Sequence, residues 1–280
     1  MLELVNSTSA LVDLHWTNPR TISVDLTRAI PSLIRERQHD CATACESVIG
    51  HCAEWKDVTL YSNIQKIVVS TNSSALVGRE LGTDKTWISN VERLPMAVAI
   101  PTVVLSLVPV MLRPFLKPIV FAPAIYTSWV LSRLLTPVVK DDMKEYRLDE
   151  DKKKVLAAAQ AKGKVALTSW LLHRYPDADE KAMTDILLRD YINVSFESTT
   201  STAGTLFYIL TELAANPGLA DLMREEIRSF APDGMLPLTH LNELRIMDSV
   251  MRESARVNPF SHSKRICRRR FYPQRATKLT

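Results

Sequence analysis

Apolar side chains recur along this chain at the three-to-four-residue spacing of an amphipathic α-helix. The spacing predicts eight helical segments, at 24–50, 58–77, 86–108, 111–145, 152–174, 179–215, 217–230 and 239–257. Sustained alternation of apolar and polar residues, the pattern of a half-buried strand, does not occur. The pattern therefore predicts a mainly α fold.

One segment, 94–125, is more apolar than the rest of the chain. Its sequence, LPMAVAIPTVVLSLVPVMLRPFLKPIVFAPAI, approaches the length of a transmembrane helix. It also contains six prolines, at Pro95, Pro101, Pro109, Pro114, Pro118 and Pro123. Because proline lacks a backbone N–H and clashes with the preceding turn, we expect short kinked helices here. They are either buried or lie in a membrane surface.

Composition narrows the classes of protein further. The chain has 280 residues, of which 46% are hydrophobic, so it is long enough and apolar enough to fold around a core. A net charge of +4 is too small to favour nucleic acid as a partner. The seven glycines form no phosphate-binding loop, and the N-terminus lacks the pattern of a signal peptide. Cys41, Cys45 and Cys52 lie near His51, and we interpret them as free thiols rather than zinc ligands.

The longest predicted helix contains an unusual polar segment. Residues 195–202 read SFESTTST, with six hydroxyl side chains in eight positions between apolar turns. Serine and threonine hydroxyls compete for the carbonyl oxygens one turn earlier, so we expect a helix that is loosened at this point. Such a segment is typical of a site where a ligand or a proton relay meets the helix. The alternative is a polar stripe that faces a neighbouring loop.

Two further motifs follow that helix. Asn216 and Pro217 are an N-cap residue and a first-turn proline, which open a helix that contains the sequence REEI. The predicted helix at 239–257 ends with Glu253 and Arg256, three residues apart. On a surface, this spacing gives an ordinary ion pair of a few tenths of a kcal/mol, about 0.3.

The hydroxyl-rich helix, the Asn216-Pro217 junction and the E-x-x-R ending together resemble the cytochrome P-450 superfamily of haem-thiolate monooxygenases, of the fungal secondary-metabolism type. The segment YSNIQKIVVSTNSSALVGRELGTDKTWI is also similar to a helix pair of those fungal members. The resemblance implies one partial P-450 domain over 1–280, which lacks most of the β-sheet and the haem-ligand loop. Its expected parts are early helices at 1–93, substrate-access helices at 94–150, a central oxygen-binding-type helix at 179–216, the E-x-x-R helix at 239–257 and a divergent tail at 258–280.

The resemblance also implies roles for particular residues. Counting back from Pro217 places the acid–alcohol pair that relays protons in the family on Thr200 and Ser201. Thr200 cannot act as a carboxylate, and Glu197, one turn before Ser201, is the candidate substitute. Glu253 and Arg256 match the pair that forms a lock beneath the haem, together with a third, basic partner from a later segment.

The haem ligand of the family is a cysteine thiolate in a glycine-bearing loop. Cys267 matches that cysteine in its spacing from Phe260 and Arg265, but Ser263 and Arg269 stand where the loop has glycines. Cys267 is therefore only a weak candidate ligand. The alternative is that residues 271–280 are a diverged first strand of the missing sheet and that Cys267 matches by coincidence. We expect this chain to bind neither haem nor another metal.

Two classes of function are left. The first is a truncated, inactive monooxygenase or, alternatively, a fragment of an active haem-dependent enzyme that oxidises a bulky apolar, terpenoid- or alkaloid-type substrate with a reductase as partner. The second is a non-catalytic helical domain that binds a membrane surface peripherally. The resemblance implies the cytoplasmic side of the endoplasmic reticulum membrane, and neither an anchor helix nor a signal peptide is apparent in the sequence.

Overall fold

A computed structural model describes residues 21–52, 54, 56–149 and 151–258 of the chain. The α-helices in this described part are α1 Thr27–Val48, α2 Leu60–Val77, α3 Arg79–Gly82, α4 Lys85–Leu107, α5 Arg113–Val120, α6 Ala122–Leu148, α7 Lys152–Ala161, α8 Leu167–Arg174, α9 Glu180–Ala215, α10 Pro217–Phe230 and α11 Arg245–Val257. A π-helical turn at Thr21–Leu26 and 3-10 turns at Val110–Leu112 and Leu238–Glu243 complete it. The described residues contain no strand, which confirms the mainly α fold class.

Two predicted helices are each divided in the structure. The segment 111–145 forms α5 and α6, which meet at Phe121, and the segment 152–174 forms α7 and α8. The second division falls at Gly163, whose φ of +69° suits glycine at a helix C-terminus. The prediction of continuous helices was wrong here because apolar spacing continues across both breaks.

The expected breaks within 94–125 are present at only some of the prolines. Pro95 and Pro101 lie inside the continuous helix α4, so the expectation of short helices was wrong for that part. Val91 and Leu94 of the same helix are buried in the core. Packing of this kind stabilises a helix that its prolines weaken. The chain does leave the helix at Val108, before the 3-10 turn, and again at Phe121.

Helix α4 is long and apolar enough to cross a membrane, with only 22% of its most apolar 18-residue window buried. Within the described residues, a second such segment exists only if Val110–Val120 and Ala122–Leu148, which are bent by 42°, are counted as one span. Length and composition of this kind also occur in core helices of soluble proteins, so they do not establish a span.

The core lies around the first half of α9, which packs against α2, α4 and α6. Trp87 of α4 is fully buried there, and its indole N–H donates to the Ser73 hydroxyl at 2.9 Å. Helix α3 approaches α2 very closely at Gly82, where a Cβ atom would lie 2.5 Å from the backbone nitrogen of Ser74. Only glycine fits this contact without a shift of the backbone.

A buried carboxylate fixes α1 to several distant segments. The Asp40 side chain is 7% exposed and forms ion pairs with Arg37 of the same helix and with Arg79 of α3. Arg37 also donates to the backbone carbonyl of Thr71 in α2 and, at 3.2 Å, to that of Gly163. One cluster therefore connects α1 with α2, α3 and the turn between α7 and α8.

Candidate functional site

Helix α9 runs unbroken for 36 residues through the hydroxyl-rich segment. The Asp179 carboxylate caps its first turn by accepting from the backbone N–H of Ala182 at 3.1 Å, and Asn216 ends it. Residues 195–202 are regular α-helix, so the expectation of a loosened turn was wrong.

The hydroxyl groups bond to the helix rather than disrupt it. Three of them donate to carbonyl oxygens one turn earlier, namely Ser195 to Tyr191 at 2.9 Å, Thr200 to Phe196 at 3.0 Å and Ser201 to Glu197 at 2.7 Å. Thr205, just after the segment, donates to Ser201 in the same way at 2.9 Å. A carbonyl oxygen has two lone pairs, so it can accept a hydroxyl in addition to the helical N–H. The polar segment is therefore compatible with a straight helix.

One side of the segment is buried against α2. Thr199 is 1% exposed, and Ala203 packs with Ile64 and Val68 in a small apolar cluster. The amide of Asn72 donates to the backbone carbonyl of Ser198 at 3.2 Å. These contacts fix the rotation of α9 about its own axis and so determine which side chains face outward.

Glu197 and Ser201 lie one turn apart on the opposite, exposed side, and we call these two residues the α9 polar face. Partial desolvation raises the pKa of the Glu197 carboxyl, although the side chain is solvent-accessible, so it takes up a proton more readily than an ordinary glutamate. Thr200 is half-buried and its hydroxyl bonds to Phe196. The structure thus places Glu197 and Ser201 on one exposed side of α9, and the hydroxyls of both Ser201 and Thr200 donate to backbone carbonyls one turn earlier.

Glu253 and Arg256 form a two-point ion pair near the end of α11. The guanidinium Nε lies 2.8 Å from one carboxylate oxygen and a terminal nitrogen lies 2.5 Å from the other. The hydrogen bond from Arg256 lowers the pKa of Glu253. The side chains are 62% and 70% exposed, and among the described residues only Arg256 forms an ion pair with Glu253. The role of this pair as a lock therefore stays a prediction.

The start of α11 is held by a residue that the sequence motifs did not single out. Both carboxylate oxygens of Glu226 accept backbone N–H groups, from Ile246 at 2.8 Å and from Met247 at 3.0 Å. Leu244 occupies the N-cap position and has no polar side chain with which to cap the helix. The sequence offered no signal for this contact, because the spacing predicted the helix to begin at 239, six residues before its observed start at Arg245.

Gln38 of α1 holds the loop between α10 and α11. Its side-chain amide donates to the carbonyl of Leu236, and its side-chain oxygen accepts the N–H of the same residue, both at 2.8 Å. This reciprocal pair joins segments 198 residues apart in sequence. No local pattern indicates such a contact.

Among the described residues, no cysteine lies on α9 or α11, the two helices that carry the candidate site residues. The cysteines in this part, Cys41, Cys45 and Cys52, belong to α1 and the segment after it, and they are free thiols. Helix α1 packs on α2, whereas the α9 polar face is on the side of α9 opposite to α2. Cys267, the weak candidate ligand, lies outside the described residues. The described part alone therefore does not fit a haem, and we derive no chemical step through one.

The fold and the two motifs define a class of protein, namely a mainly helical domain built around a long central helix with a polar middle, followed by an E-x-x-R helix. The sequence profile of the cytochrome P-450 family matches residues 12–269, and the chain belongs to this family. Members of the family generally act on a substrate together with a reductase, and they are often associated with the endoplasmic reticulum membrane.

Three relatives illustrate the relationship. The cytochrome P-450 monooxygenase CYP1 of Pyricularia oryzae is 50% identical over 87% of this chain and 44% of its own length. The monooxygenase cheG of Chaetomium globosum is 61% identical over 72% of the chain and 59% of its own length. The pyrichalasin C-18 hydroxylase of Pyricularia grisea is 38% identical over 86% of the chain and 44% of its own length. The chain thus spans about half the length of the curated relatives it matches, and these relatives are fungal proteins.

Proposed function

We propose that this chain is the central helical portion of a fungal secondary-metabolism monooxygenase and that residues 1–280, on their own, do not activate oxygen. The observation that carries the proposal is the exposure of Glu253 and Arg256, at 62% and 70%. An ion pair that serves as a lock needs surroundings that exclude water and satisfy its remaining hydrogen bonds. In the described part of the chain the pair lies in solvent, where it organises little beyond its own helix turn.

The residues around Cys267 support the same proposal at the level of sequence. Lys264, Arg265 and Arg268 place positive charge near the thiol, and positive charge favours the thiolate form. A thiolate also has to be presented at a fixed position, however, and Ser263 and Arg269 replace the two glycines that shape the family loop. Charge alone does not position the sulfur atom.

The test is haem reconstitution of the purified 280-residue chain. We expect no thiolate-type band in the reduced carbon monoxide difference spectrum and no turnover with a reductase, because the sequence around Cys267 lacks the glycines that shape the family's ligand loop. The matched variant is Cys267→Ala, which we expect to give the same spectrum as the parent chain. A thiolate-type band that this substitution removes would overturn the proposal.

The activity of a longer polypeptide that contains this chain is a separate matter. Because the pyrichalasin C-18 hydroxylase is related over most of the chain, the substrate class that we propose for such a polypeptide is a bulky, apolar secondary metabolite. Helices α5 and α6, together with the second part of α4, fall in the segment 94–150 to which the resemblance assigns substrate access. The partner would be a reductase.

A second candidate function, peripheral membrane binding, is favoured by one observation. Exposed apolar side chains are concentrated between Met96 and Trp129, and we call this surface the apolar patch. Its most exposed members are Leu107 at 82%, Val110 at 71%, Met111 at 87%, Phe115 at 75% and Ile119 at 69%. Exposed apolar side chains that are concentrated in one stretch of the chain are typical of a site that interacts with another protein or a membrane.

A further inference from the structure

The first turn of α11 is the point at which this helix is attached to the rest of the molecule. The side chains of Ile246 and Met247 pack on a small cluster formed by Ile209, Met223 and Val250. The backbone N–H groups of the same two residues are the ones that Glu226 accepts. Packing and hydrogen bonding therefore act on one turn, and they fix both the rotation and the axial position of α11.

A helix leaves its first backbone N–H groups without partners inside the helix, and a polar N-cap side chain usually accepts one of them. Here the N-cap residue is Leu244, which is 2% exposed and contributes to the core instead. Glu226, which is half-buried on α10, accepts two of these N–H groups in its place. A carboxylate also interacts favourably with the positive end of the helix dipole.

We infer that Glu226 is a positioning residue for the E-x-x-R helix, which it holds by main-chain hydrogen bonds at the start of α11. The residues that it positions, Glu253 and Arg256, lie two to three helical turns beyond the capped turn, about 10 to 15 Å along the axis. A shift or rotation of the first turn moves both of them as a rigid unit. The inference rests on the proposed function, because that function gives the Glu253–Arg256 pair its role. The capping by Glu226 does not itself depend on haem.

The adjacent residue provides a matched control. Glu225 precedes Glu226 on the same helix and carries the same charge, but it is exposed. The variants are therefore Glu226→Ala, Glu226→Gln and Glu225→Ala in the 280-residue chain. Glutamine keeps the length of the side chain and one acceptor oxygen, whereas its amide nitrogen only donates. Glu226→Gln therefore retains one of the two hydrogen bonds.

The measurement is amide hydrogen exchange resolved to single residues. We expect Glu226→Ala to accelerate exchange at Ile246 and Met247 by about ten- to a hundred-fold, the effect of losing a hydrogen bond to a charged acceptor. Glu226→Gln restores protection at one of the two amides, which a purely structural loss of packing would not do. Glu225→Ala leaves both amides protected.

Equal acceleration in α9, α10 and α11 in either Glu226 variant would overturn the inference, because it would show general destabilisation rather than loss of a local cap. Unchanged exchange at Ile246 and Met247 in Glu226→Gln and Glu226→Ala would overturn it as well. If Glu226→Ala does not fold, Glu226→Gln decides between these outcomes. Neither result bears on the carbon monoxide spectrum, so failure of the inference and failure of the proposed function are distinguishable.

Discussion

At the scale of single residues, the close contact between α2 and α3 depends on the absence of a side chain at Gly82. A Cβ atom there would lie 2.5 Å from the Ser74 nitrogen and 2.7 Å from its Cα. These are backbone atoms, so they cannot yield as a flexible side chain would. We expect Gly82→Ala to lower the free energy of unfolding by about 1 to 3 kcal/mol, the usual cost of overpacking.

Gly218 is the control for this substitution. It lies in the first turn of α10, and a Cβ atom added there would meet nothing within 4 Å. We expect Gly218→Ala to be neutral or to stabilise the chain by up to about 1 kcal/mol, because alanine restricts the unfolded chain and favours the helix. Chemical denaturation of both variants measures the difference, and equal stabilities would contradict the steric explanation.

At the scale of a helix, the ion pair on α11 has a consequence for titration. The Arg256 hydrogen bond lowers the pKa of Glu253. A carboxyl with a lowered pKa in the folded state adds stability above its unfolded-state pKa, and this contribution is lost as the pH falls through the folded-state value. We expect NMR titration to show Glu253 ionising below the ordinary glutamate range, and Arg256→Gln to return it to that range.

Salt is the control at this scale. Because both side chains are mostly exposed, added salt screens their attraction and should move the pKa of Glu253 upward. A pKa that does not respond to salt would indicate a partner that excludes water, and would contradict the exposed geometry of the pair.

The helical elements also show which features follow from local sequence. The spacing predicted α2 at 58–77 and α10 at 217–230, close to the observed Leu60–Val77 and Pro217–Phe230. The Glu253–Arg256 pair was predictable for the same reason, since both residues lie on one turn. The division at Gly163 was not predictable from spacing. A Cβ atom there would lie 2.9 Å from Glu36 of α1, so this position is fixed by a helix more than a hundred residues earlier.

The candidate site also combines features that local sequence predicts with contacts that it does not predict. Glu197 and Ser201 could be paired from their four-residue spacing, and the structure places them on one exposed side of α9. Thr200 was assigned by its distance from Pro217, which carries no information about the direction of its hydroxyl. The cap from Glu226 to Ile246 spans 20 residues and two helices. Contacts of that kind depend on how the helices pack, which local periodicity does not encode.

At the scale of the whole molecule, the apolar patch lies in a stretch with charge of one sign. Residues 93–140 contain no aspartate or glutamate, and their five basic residues are Arg93, Arg113, Lys117, Arg133 and Lys140. An apolar surface accompanied only by positive charge suits an anionic bilayer. We expect the chain to sediment with vesicles that contain phosphatidylserine more strongly than with pure phosphatidylcholine vesicles, and added salt should reduce the difference.

Leucines 107 and 148 provide matched variants, because each is 82% exposed. Leu107 belongs to the apolar patch, whereas Leu148 lies outside it, as the last residue of helix α6. We expect Leu107→Glu to weaken vesicle binding about ten-fold or more, in line with the loss of one buried leucine. Leu148→Glu should leave binding unchanged. A chain that stays monomeric and in the supernatant with both kinds of vesicle would exclude this function.

The contact between Gln38 and Leu236 has a consequence for the order in which the chain folds. A ribosome adds about 5 to 20 residues per second, so the 198 residues between the two partners take about 10 to 40 s to synthesise. During that time the polar side chain of Gln38 has only water as a partner for this pair of hydrogen bonds. Helix α1 can dock early on α2, its neighbour in sequence, but its last contact forms only when the loop before α11 has left the ribosome.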